Sequence, residues 1–261
     1  MNSRQAQHND MQKSKIKILV IGDSCTDEFV YCNIDRLCPE APVPILTPIK
    51  KIKNSGMAGN VVSNLKALGA QVDLLTNDEM IEKIRYIDNK SGQMVMRLDI
   101  DDECDPYDGE TYIAVDYDAI VISDYNKGFL SKKDIAQWVD SAKCPTFLDT
   151  KKHLGNFAWD VDFVKINQPE WELNKFYPKD NIIITDGKNG AKYKGKTYPV
   201  KNQVKVSNVS GAGDTFLAGF VYKYISLTID GSESDTDVSE SIEFANKCAS
   251  KVVQERGVTT V

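Results

Sequence analysis

The stretch "GAGD", residues 211–214, places three small residues directly before a carboxylate, and an apolar helical pattern follows at once. Backbone amides at the start of a helix have no partner inside the helix and carry partial positive charge. Small side chains let an anion approach those amides, so Gly211, Ala212 and Gly213 indicate an anion hole. Asp214 is then placed to take a proton from a hydroxyl group that attacks a bound phosphate. A structural interpretation stays open, in which Asp214 only stabilises the first helical turn.

Composition limits the kinds of partner that the chain can have. The 261 residues are 41% hydrophobic and 27% charged, and the formal net charge is −6. A net negative charge disfavours nucleic acid and membrane surfaces as partners, because both are polyanionic. No apolar run approaches the ~18 residues of a transmembrane helix, and the polar amino terminus lacks the apolar core of a signal peptide. We therefore expect a cytoplasmic protein with a disordered tail over residues 1–14.

Strand-like and helix-like patterns alternate along the rest of the chain, residues 15–261. This alternation predicts a single α/β domain with a mostly parallel central sheet and helices on both faces. Ligands of such sheets bind beyond the carboxyl ends of the strands. Polar clusters follow the predicted strands at residues 23–27, 124–128, 149–152, 167–170 and 186–190.

One apparent phosphate-binding motif is rejected. The segment "GAKYKGKT", residues 190–197, fits the pattern G-x-x-x-x-G-K-[ST]. That loop requires a helix directly after it, whereas Pro199 and an alternating pattern follow here. A hairpin with Gly195 in its turn is the better interpretation.

Several motifs, in the order of the chain, resemble those of the PfkB/ribokinase family of sugar and nucleoside kinases. The segment "VSGAGDTF" resembles the family signature D-x-x-G-A-G-D, and "GMAGNVVSNLKALGA" resembles its glycine-rich first signature. Within the family, "CPEAPVP", "KIRYIDNKSGQMVMRLD" and "VISDYNKGFLS" resemble the D-glycero-D-manno-heptose 7-phosphate kinases. The resemblance covers nearly the whole chain from about residue 16. It implies a ribokinase-like fold with a small β-lid formed by segments of about 29–50 and 84–100.

The resemblance also implies a role for each matching residue in transfer of the γ-phosphate of ATP to a sugar hydroxyl. Asp214 would be the catalytic base, and the amides of Gly211, Ala212 and Gly213 would hold the transferring group. The residues implied to hold the acceptor sugar are Asp27, Asn60 and Gly56, with Arg36 and Lys127 as candidates for an anionic group on it. Asp27 could instead be a turn residue and Asn60 a helix cap, while Arg36 and Lys127 could be solvated surface charges.

A second set of matching residues belongs to the nucleotide and metal side. The implied residues are Asn167, Glu170, Thr185, Asp186, Gly187 and Gly190 for the nucleotide, and Glu170 and Asn208 for Mg²⁺, with K⁺ as a further candidate ion. The pair Asn167 and Glu170 could also be a helix start, and residues 185–190 could be a tight turn.

The chain departs from the family pattern in two ways. Asn208 stands where the signature has an aspartate, and the chain is short, with a helix–strand unit and another helix missing between the motifs. The favoured acceptor is D-glycero-D-manno-heptose 7-phosphate. The alternatives are a fructokinase, ribokinase or nucleoside kinase, or a catalytically weak binding or regulatory protein. A homodimer through the lid is a further expectation.

Overall fold

The computed structural model describes residues 15–110, 116–178, 180–201, 209–229, 231, 234–254 and 259–261. The tail predicted for residues 1–14 and the candidate metal residue Asn208 lie outside them. In chain order the elements are β1 (Lys17–Gly22), β2 (Ser24–Asn33), β3 (Thr47–Met57), α1 (Ala58–Leu68), β4 (Gln71–Leu75), β5 (Glu82–Asp88), β6 (Met94–Ile100), β7 (Ala119–Asp124), α2 (Lys132–Ser141), β8 (Thr146–Thr150), β9 (Phe163–Asn167), α3 (Gln168–Leu173), β10 (Ile182–Thr185), β11 (Ala191–Tyr193), β12 (Lys196–Tyr198), α4 (Ala212–Thr228) and α5 (Asp235–Val252).

Eight strands form the central sheet in the order β12-β11-β10-β9-β8-β7-β1-β4. The six strands from β10 to β4 in this order are parallel, and β11 and β12 are antiparallel. The carboxyl ends of the parallel strands therefore lie along one edge of the sheet, perpendicular to the strands. There Gly22 pairs with Ser123, Asp124 with Thr150, and Thr185 with Asn167. The predicted polar clusters lie at that edge.

Both faces of the sheet are covered, as the sequence predicted. In β1, Ile18 and Val20 pack in one core with α1, α4 and α5, whereas Leu19 and Ile21 pack in another with α2. Successive side chains of a strand point to opposite faces, so a strand covered on both sides is continuously apolar. No helix among the described residues has both the length and the apolar composition that crossing a membrane requires.

A separate four-stranded sheet has the order β3-β2-β5-β6. Its two antiparallel pairs, β2–β3 and β5–β6, are joined by the parallel pairing of β2 with β5. The segments predicted as a lid, about 29–50 and 84–100, lie largely within these strands and their connections. The prolines at 39, 42 and 44 fall in the connection between β2 and β3, where the pairing is limited to an isolated bridge between Leu37 and Pro44.

Two local predictions have clear outcomes. Residues 190–197 form the antiparallel hairpin β11–β12 with Gly195 at its turn, so the rejection of a phosphate loop is confirmed. The sequence pattern predicts a last helix over roughly 238–255, after the acidic loop "DGSESDTD". In the structure this helix begins at Asp235, because Ser234 and Asp237 form a capping box at its start, so the predicted loop belongs partly to the cap.

Candidate active site

Asp214 lies in the first turn of α4 with a side chain that is almost completely buried. The hydroxyl of Tyr125, directly after β7, donates to its Oδ1 at 2.5 Å, and Nδ2 of Asn60 in α1 donates to its Oδ2 at 2.9 Å. Burial raises the pKa of Asp214 to about 6, against the lowering effect of these two hydrogen bonds and of Lys165. The carboxyl group is thus held in place and has a pKa suited to a general base near neutral pH.

The start of α4 has the features of an anion hole. Gly211 adopts a left-handed conformation with φ of 77° at the N-cap, and no side chain caps the helix among the residues described. A Cβ atom added to Gly213 would lie 3.0 Å from Nζ of Lys165 in β9. The amino end of the helix and a lysine ammonium group therefore face the same space, which favours an anion there.

Lys165 belongs to a network of charges at the ends of β8 and β9. Its Nζ donates to Oδ2 of Asp149 at 2.5 Å, and both side chains are buried. Lys151 lies 3.5 Å from the other oxygen of Asp149 and donates to Oε1 of Glu170 at 2.6 Å. Burial opposes ionisation of Asp149, but Lys165 and Lys151 hold the pKa of this carboxyl below its usual value. The two lysines are therefore fixed as cations beside the start of α4.

Asn167 and Glu170 begin α3 with a capping box. Oδ1 of Asn167 accepts from the amide of Glu170, and Oε2 of Glu170 accepts from the amide of Asn167, both at 2.8 Å. Because Oε1 of Glu170 accepts a hydrogen bond from Lys151, both oxygens of this carboxylate already have a protein donor. This arrangement fits a contact with a phosphate-bound Mg²⁺ through water, the mode that Mg²⁺ commonly keeps, rather than direct ligation. The role of Glu170 at the metal stays a prediction.

A cleft of about 490 Å³ opens beside the start of α4. Predicted residues that line it are Asn167, Thr185, Gly187, Gly190, Ala212 and Gly213, and further lining residues include Tyr125, Lys151, Lys165, Lys188 and Phe216. Asp186 is not among the lining residues that the structure describes. It stabilises the tight turn instead, since its amide donates to Gly190 and its carboxylate accepts from Asn189. The structure thus brings four of the six predicted nucleotide residues to one cleft, whereas Asp186 and Glu170 support its walls through the tight turn and the α3 cap.

The predicted acceptor residues meet at the junction of the two sheets. Asp27 in β2 is buried and forms an ion pair with Arg85 of β5. A Cβ atom on Gly56 would lie 2.6 Å from both Oδ2 of Asp27 and Sγ of Cys25, so only glycine fits. Asn60 lies near the start of α1 and donates a hydrogen bond to Asp214. Asp27 is therefore no simple turn residue, and Asn60 is the third residue of α1 and not its cap.

The two predicted anion-binding side chains have different positions. Nζ of Lys127 donates to Asp102, which also accepts from Lys83 of β5 at 2.7 Å. Arg36 is exposed in the connection between β2 and β3. The far end of β2 is roughly 20 Å from Asp27, at about 3.3 Å per residue, and Arg36 lies beyond that end. The structure therefore brings Lys127 to the junction of the two sheets and leaves Arg36 apart from the other candidates.

Several residues of the site were not predicted from the sequence, among them Tyr125, Lys165 and Arg85. Tyr125 falls within the polar cluster after β7, but its type gave no reason to select it. Lys165 stands in the apolar strand segment "FVKIN", where a lysine at a buried position is a signal for a paired charge. Arg85 stands in a strand of mostly half-buried residues, and its type gave no signal of a buried ion pair.

Comparisons with known proteins agree with the motifs. Residues 143–261 match the model of the pfkB family carbohydrate kinases. Relatives named bifunctional protein HldE are 26% identical in Nitratiruptor sp., 28% in Campylobacter jejuni and 30% in Caulobacter vibrioides. The alignments cover 94%, 96% and 94% of this chain, and 63%, 64% and 61% of the relatives. The chain therefore spans less than two thirds of the length of these relatives.

Solved structures show the same fold at low sequence identity. The nucleoside kinase of Methanocaldococcus jannaschii has a TM-score of 0.64 at 17% identity, with 94% of this chain and 95% of that chain covered. Arabidopsis thaliana ribokinase, complexed with ribose and ATP, has 0.65 at 14%, with 94% of both chains covered. Escherichia coli phosphofructokinase-2, in complex with potassium, has 0.67 at 15%, with 93% and 94% covered. The predicted ribokinase-like fold is confirmed, and residues 143–261 of the chain match the pfkB family carbohydrate kinase model.

Proposed function

We propose that this chain is an ATP-dependent sugar kinase that uses Asp214 as its general base. The observation that carries the proposal is the position of this buried carboxyl, in the first turn of α4 next to the uncapped helix start and Lys165. A hydroxyl acceptor and a terminal phosphate would meet between these groups. The match of residues 143–261 to the pfkB family carbohydrate kinase model supports the same reaction type.

The proposed reaction needs few chemical groups from the protein. The nucleotide binds in the 490 Å³ cleft with its terminal phosphate against the start of α4 and Lys165. The acceptor hydroxyl attacks the γ-phosphorus, its proton passes to Asp214, and the bond from the γ-phosphorus to the β–γ bridging oxygen breaks to release ADP. Mg²⁺ carried by the nucleotide neutralises phosphate charge, and Glu170 and Asn167 would face it through water. Positioning and electrostatics supply most of the catalysis in such a transfer.

The proposed acceptor is a sugar that carries an anionic group, most specifically D-glycero-D-manno-heptose 7-phosphate. The heptose kinase motifs support this choice, and so do the cations at the lid junction. Lys83 and Lys127 converge there on Asp102, and Arg85, which lies near Lys83 on β5, pairs with Asp27. A phosphate group that displaced Asp102 would meet two ammonium groups from opposite sides of the junction.

The decisive experiment compares Asp214→Asn with Asp134→Asn. Asp134 is the first-turn carboxylate of α2 and closes a capping box with Ser131, so its variant isolates the structural role of a first-turn acid. ADP formation would be measured with Mg-ATP and heptose 7-phosphate, fructose 6-phosphate, ribose, fructose or adenosine. We expect Asp214→Asn to lose several orders of magnitude in turnover and to keep ATP binding, and Asp134→Asn to keep full turnover. Near-normal turnover of Asp214→Asn would show that Asp214 is not the general base.

The same assay separates the proposed kinase from a binding protein. ADP formation that depends on one acceptor supports the kinase and identifies the substrate. No acceptor-dependent ADP formation, together with no thermal shift on addition of ATP, would reject the kinase and favour a binding or regulatory role.

Recognition of an anionic acceptor has its own test. Lys127→Met should raise the KM for a phosphorylated acceptor by about tenfold or more, because a charge-assisted contact contributes about 1.5–3 kcal/mol. The KM for ATP should not change. Lys90→Met is a matched control, since Lys90 pairs with Asp35 at the exposed outer end of the lid sheet. An unchanged KM for the acceptor in Lys127→Met would show that Lys127 does not bind the acceptor.

Two further expectations complete the proposal. The outer part of the lid exposes Met94, Met96 and Leu98 on β6, which supports a homodimer through the lid, and sedimentation equilibrium would test it. A potassium requirement would appear as a rise in turnover when tetramethylammonium is replaced by K⁺ in the assay buffer.

A further inference from the structure

We propose that Tyr125 is the positioning residue of the general base: its hydroxyl fixes Oδ1 of Asp214 and sets the pH range in which Asp214 can accept a proton. This inference deepens the proposed function. It concerns a residue for which the sequence motifs imply no role. Its evidence is the set of contacts around the phenol and the carboxylate.

The phenol occupies one side of the base. Tyr125 lines the nucleotide cleft, whereas Asp214 is not among the described residues that line it. The hydroxyl donates to Oδ1 at 2.5 Å, while Asn60 from α1 holds Oδ2 at 2.9 Å. Tyr125 therefore connects the lining of the cleft to the carboxylate of Asp214.

The ring of Tyr125 is held on both of its sides. It packs against the small cluster of Cys25, Met57 and Ile81 at the junction with the lid sheet. Nζ of Lys151 lies 5.3 Å from the ring centroid on the nucleotide side. A phenol fixed in this way has little freedom to turn its hydroxyl away from Asp214, so the carboxylate keeps one orientation.

The direction of the hydrogen bond determines its effect. Burial, and then the charge of Asp214, hold the pKa of Tyr125 well above its usual value, so the phenol keeps its proton and acts as the donor. A hydrogen bond donated to a carboxylate favours the ionised form and lowers its pKa. Loss of the hydroxyl must therefore raise the pKa of Asp214, and the base becomes protonated at a higher pH.

Other charged and titratable groups face Asp214 from the surrounding elements. Lys165 of β9 lowers its pKa, and Asp149 of β8 raises it. Cys25 of β2 and Lys151 also interact electrostatically with Asp214, and burial raises the pKa of the Cys25 thiol to about 12, so that it stays neutral. None of these groups bonds to Oδ1, so the substitution of Tyr125 changes one contact of the carboxylate and leaves the charges in place.

The test compares Tyr125→Phe with Tyr117→Phe. The first variant keeps the ring and removes only the hydroxyl. The second removes a hydroxyl that donates to Asp73 at 2.9 Å at the exposed edge of the sheet, so it is a matched control outside the site. Two quantities would be measured: the pH profile of kcat with Mg-ATP and the best acceptor, and the titration of Asp214 in the ligand-free protein by ¹³C NMR of labelled aspartate, assigned with Asp214→Asn.

We expect the Asp214 titration and the acid limb of kcat to move upward by about one pH unit or more in Tyr125→Phe. The loss of kcat is then confined to low pH. At pH values below the acid limb, kcat of Tyr125→Phe should be about tenfold lower than that of the wild type, and about two pH units above the limb it should return toward the wild-type value. A residue that only supported the structure would lower the rate at every pH. Tyr117→Phe should match the wild type in both measurements.

Coincident titrations of Asp214 in Tyr125→Phe and the wild type would overturn the inference. Incorporation of 3-fluorotyrosine at position 125 gives a second test that preserves shape, because a more acidic phenol must move the titration downward; no downward movement would also overturn it. The NMR measurement needs no substrate. If it shows the predicted shifts while no acceptor supports ADP formation, the inference on Tyr125 holds and the proposed kinase function fails.

Discussion

Replacement of Lys165 by methionine tests whether the charge network at the ends of β8 and β9 is as buried as the structure shows. The exposed fractions of the Lys165 and Asp149 side chains are 6% and 2%, and Nζ lies 2.5 Å from Oδ2. Methionine has a similar length but leaves the Asp149 carboxylate with only Lys151 at 3.5 Å. Removal of one partner from a buried ion pair costs about 3–5 kcal/mol. Because Lys151 remains, we expect about 3 kcal/mol less stability at pH 7.5.

Urea unfolding monitored by circular dichroism would measure this difference. The double variant Lys165→Met with Asp149→Leu removes both charges and should recover to within about 1 kcal/mol of the wild type, because an apolar pair can replace a buried ion pair. Lys192→Met is the control: Lys192 on β11 lies 3.7 Å from Asp186, both side chains are partly exposed, and its loss should cost less than about 0.5 kcal/mol.

The pH dependence adds an independent check. The pKa of Asp149 is lowered in the folded protein, so this group contributes stability above its unfolded pKa, and that stability is lost as the pH falls through the folded pKa. In Lys165→Met the carboxyl can be protonated more easily, so the stability deficit should narrow as the pH is lowered toward 4. A deficit below about 1 kcal/mol at pH 7.5, or a double variant no more stable than the single one, would refute this account of the pair.

Three other predictions follow from the same site. Asp214→Asn should increase the free energy of unfolding at pH 7.5 by about 1–3 kcal/mol. The pKa of Asp214 is raised to about 6 in the folded protein, so the ionised carboxyl group destabilises the fold as the pH rises through 6. Urea unfolding at pH 7.5 and pH 4 should show the gain only at the higher pH. Gly213→Ala should weaken ATP binding or turnover by at least tenfold in kinetic assays, because the added methyl group would lie 3.0 Å from Nζ of Lys165. Asn60→Ala should raise the acid limb of kcat, because it removes the donor to Oδ2 of Asp214, and equal acid limbs would contradict this.

The fold could be predicted from the sequence because its main signals are local. Alternation of strand and helix patterns, and continuous apolar runs such as that of β1, indicate a parallel sheet covered on both faces. The cap at Ser131 and the hairpin at Gly195 depend on residues a few positions apart, and both are present. The acidic composition around Asp237 predicts a loop, whereas the capping pattern of Ser234 and Asp237 starts the last helix earlier, at Asp235.

The candidate site could be predicted only where a motif carried it. Asp214 and the small residues before it form a contiguous signal, and Asn60 followed from the resemblance. Tyr125 could not be predicted, because its role depends on a contact with a residue 89 positions away. The pairing of Lys165 with Asp149 likewise depends on the register of two neighbouring strands, which one-dimensional patterns do not give.

Pairing of charges has a consequence for how the proposed ligands bind. Four lysine or arginine side chains around the site already have carboxylate partners: Lys165 with Asp149, Lys151 with Glu170, Lys127 with Asp102, and Arg85 with Asp27. An anionic ligand therefore competes with internal carboxylates for these cations. The pairs keep each cation in a fixed position before binding, which reduces the entropy lost on binding. They also favour a ligand whose anionic groups match several of these positions at once, because each exchange of partners also breaks an internal ion pair. Selectivity for the nucleotide and the acceptor would then depend on the geometry of these four pairs more than on the net charge of the site.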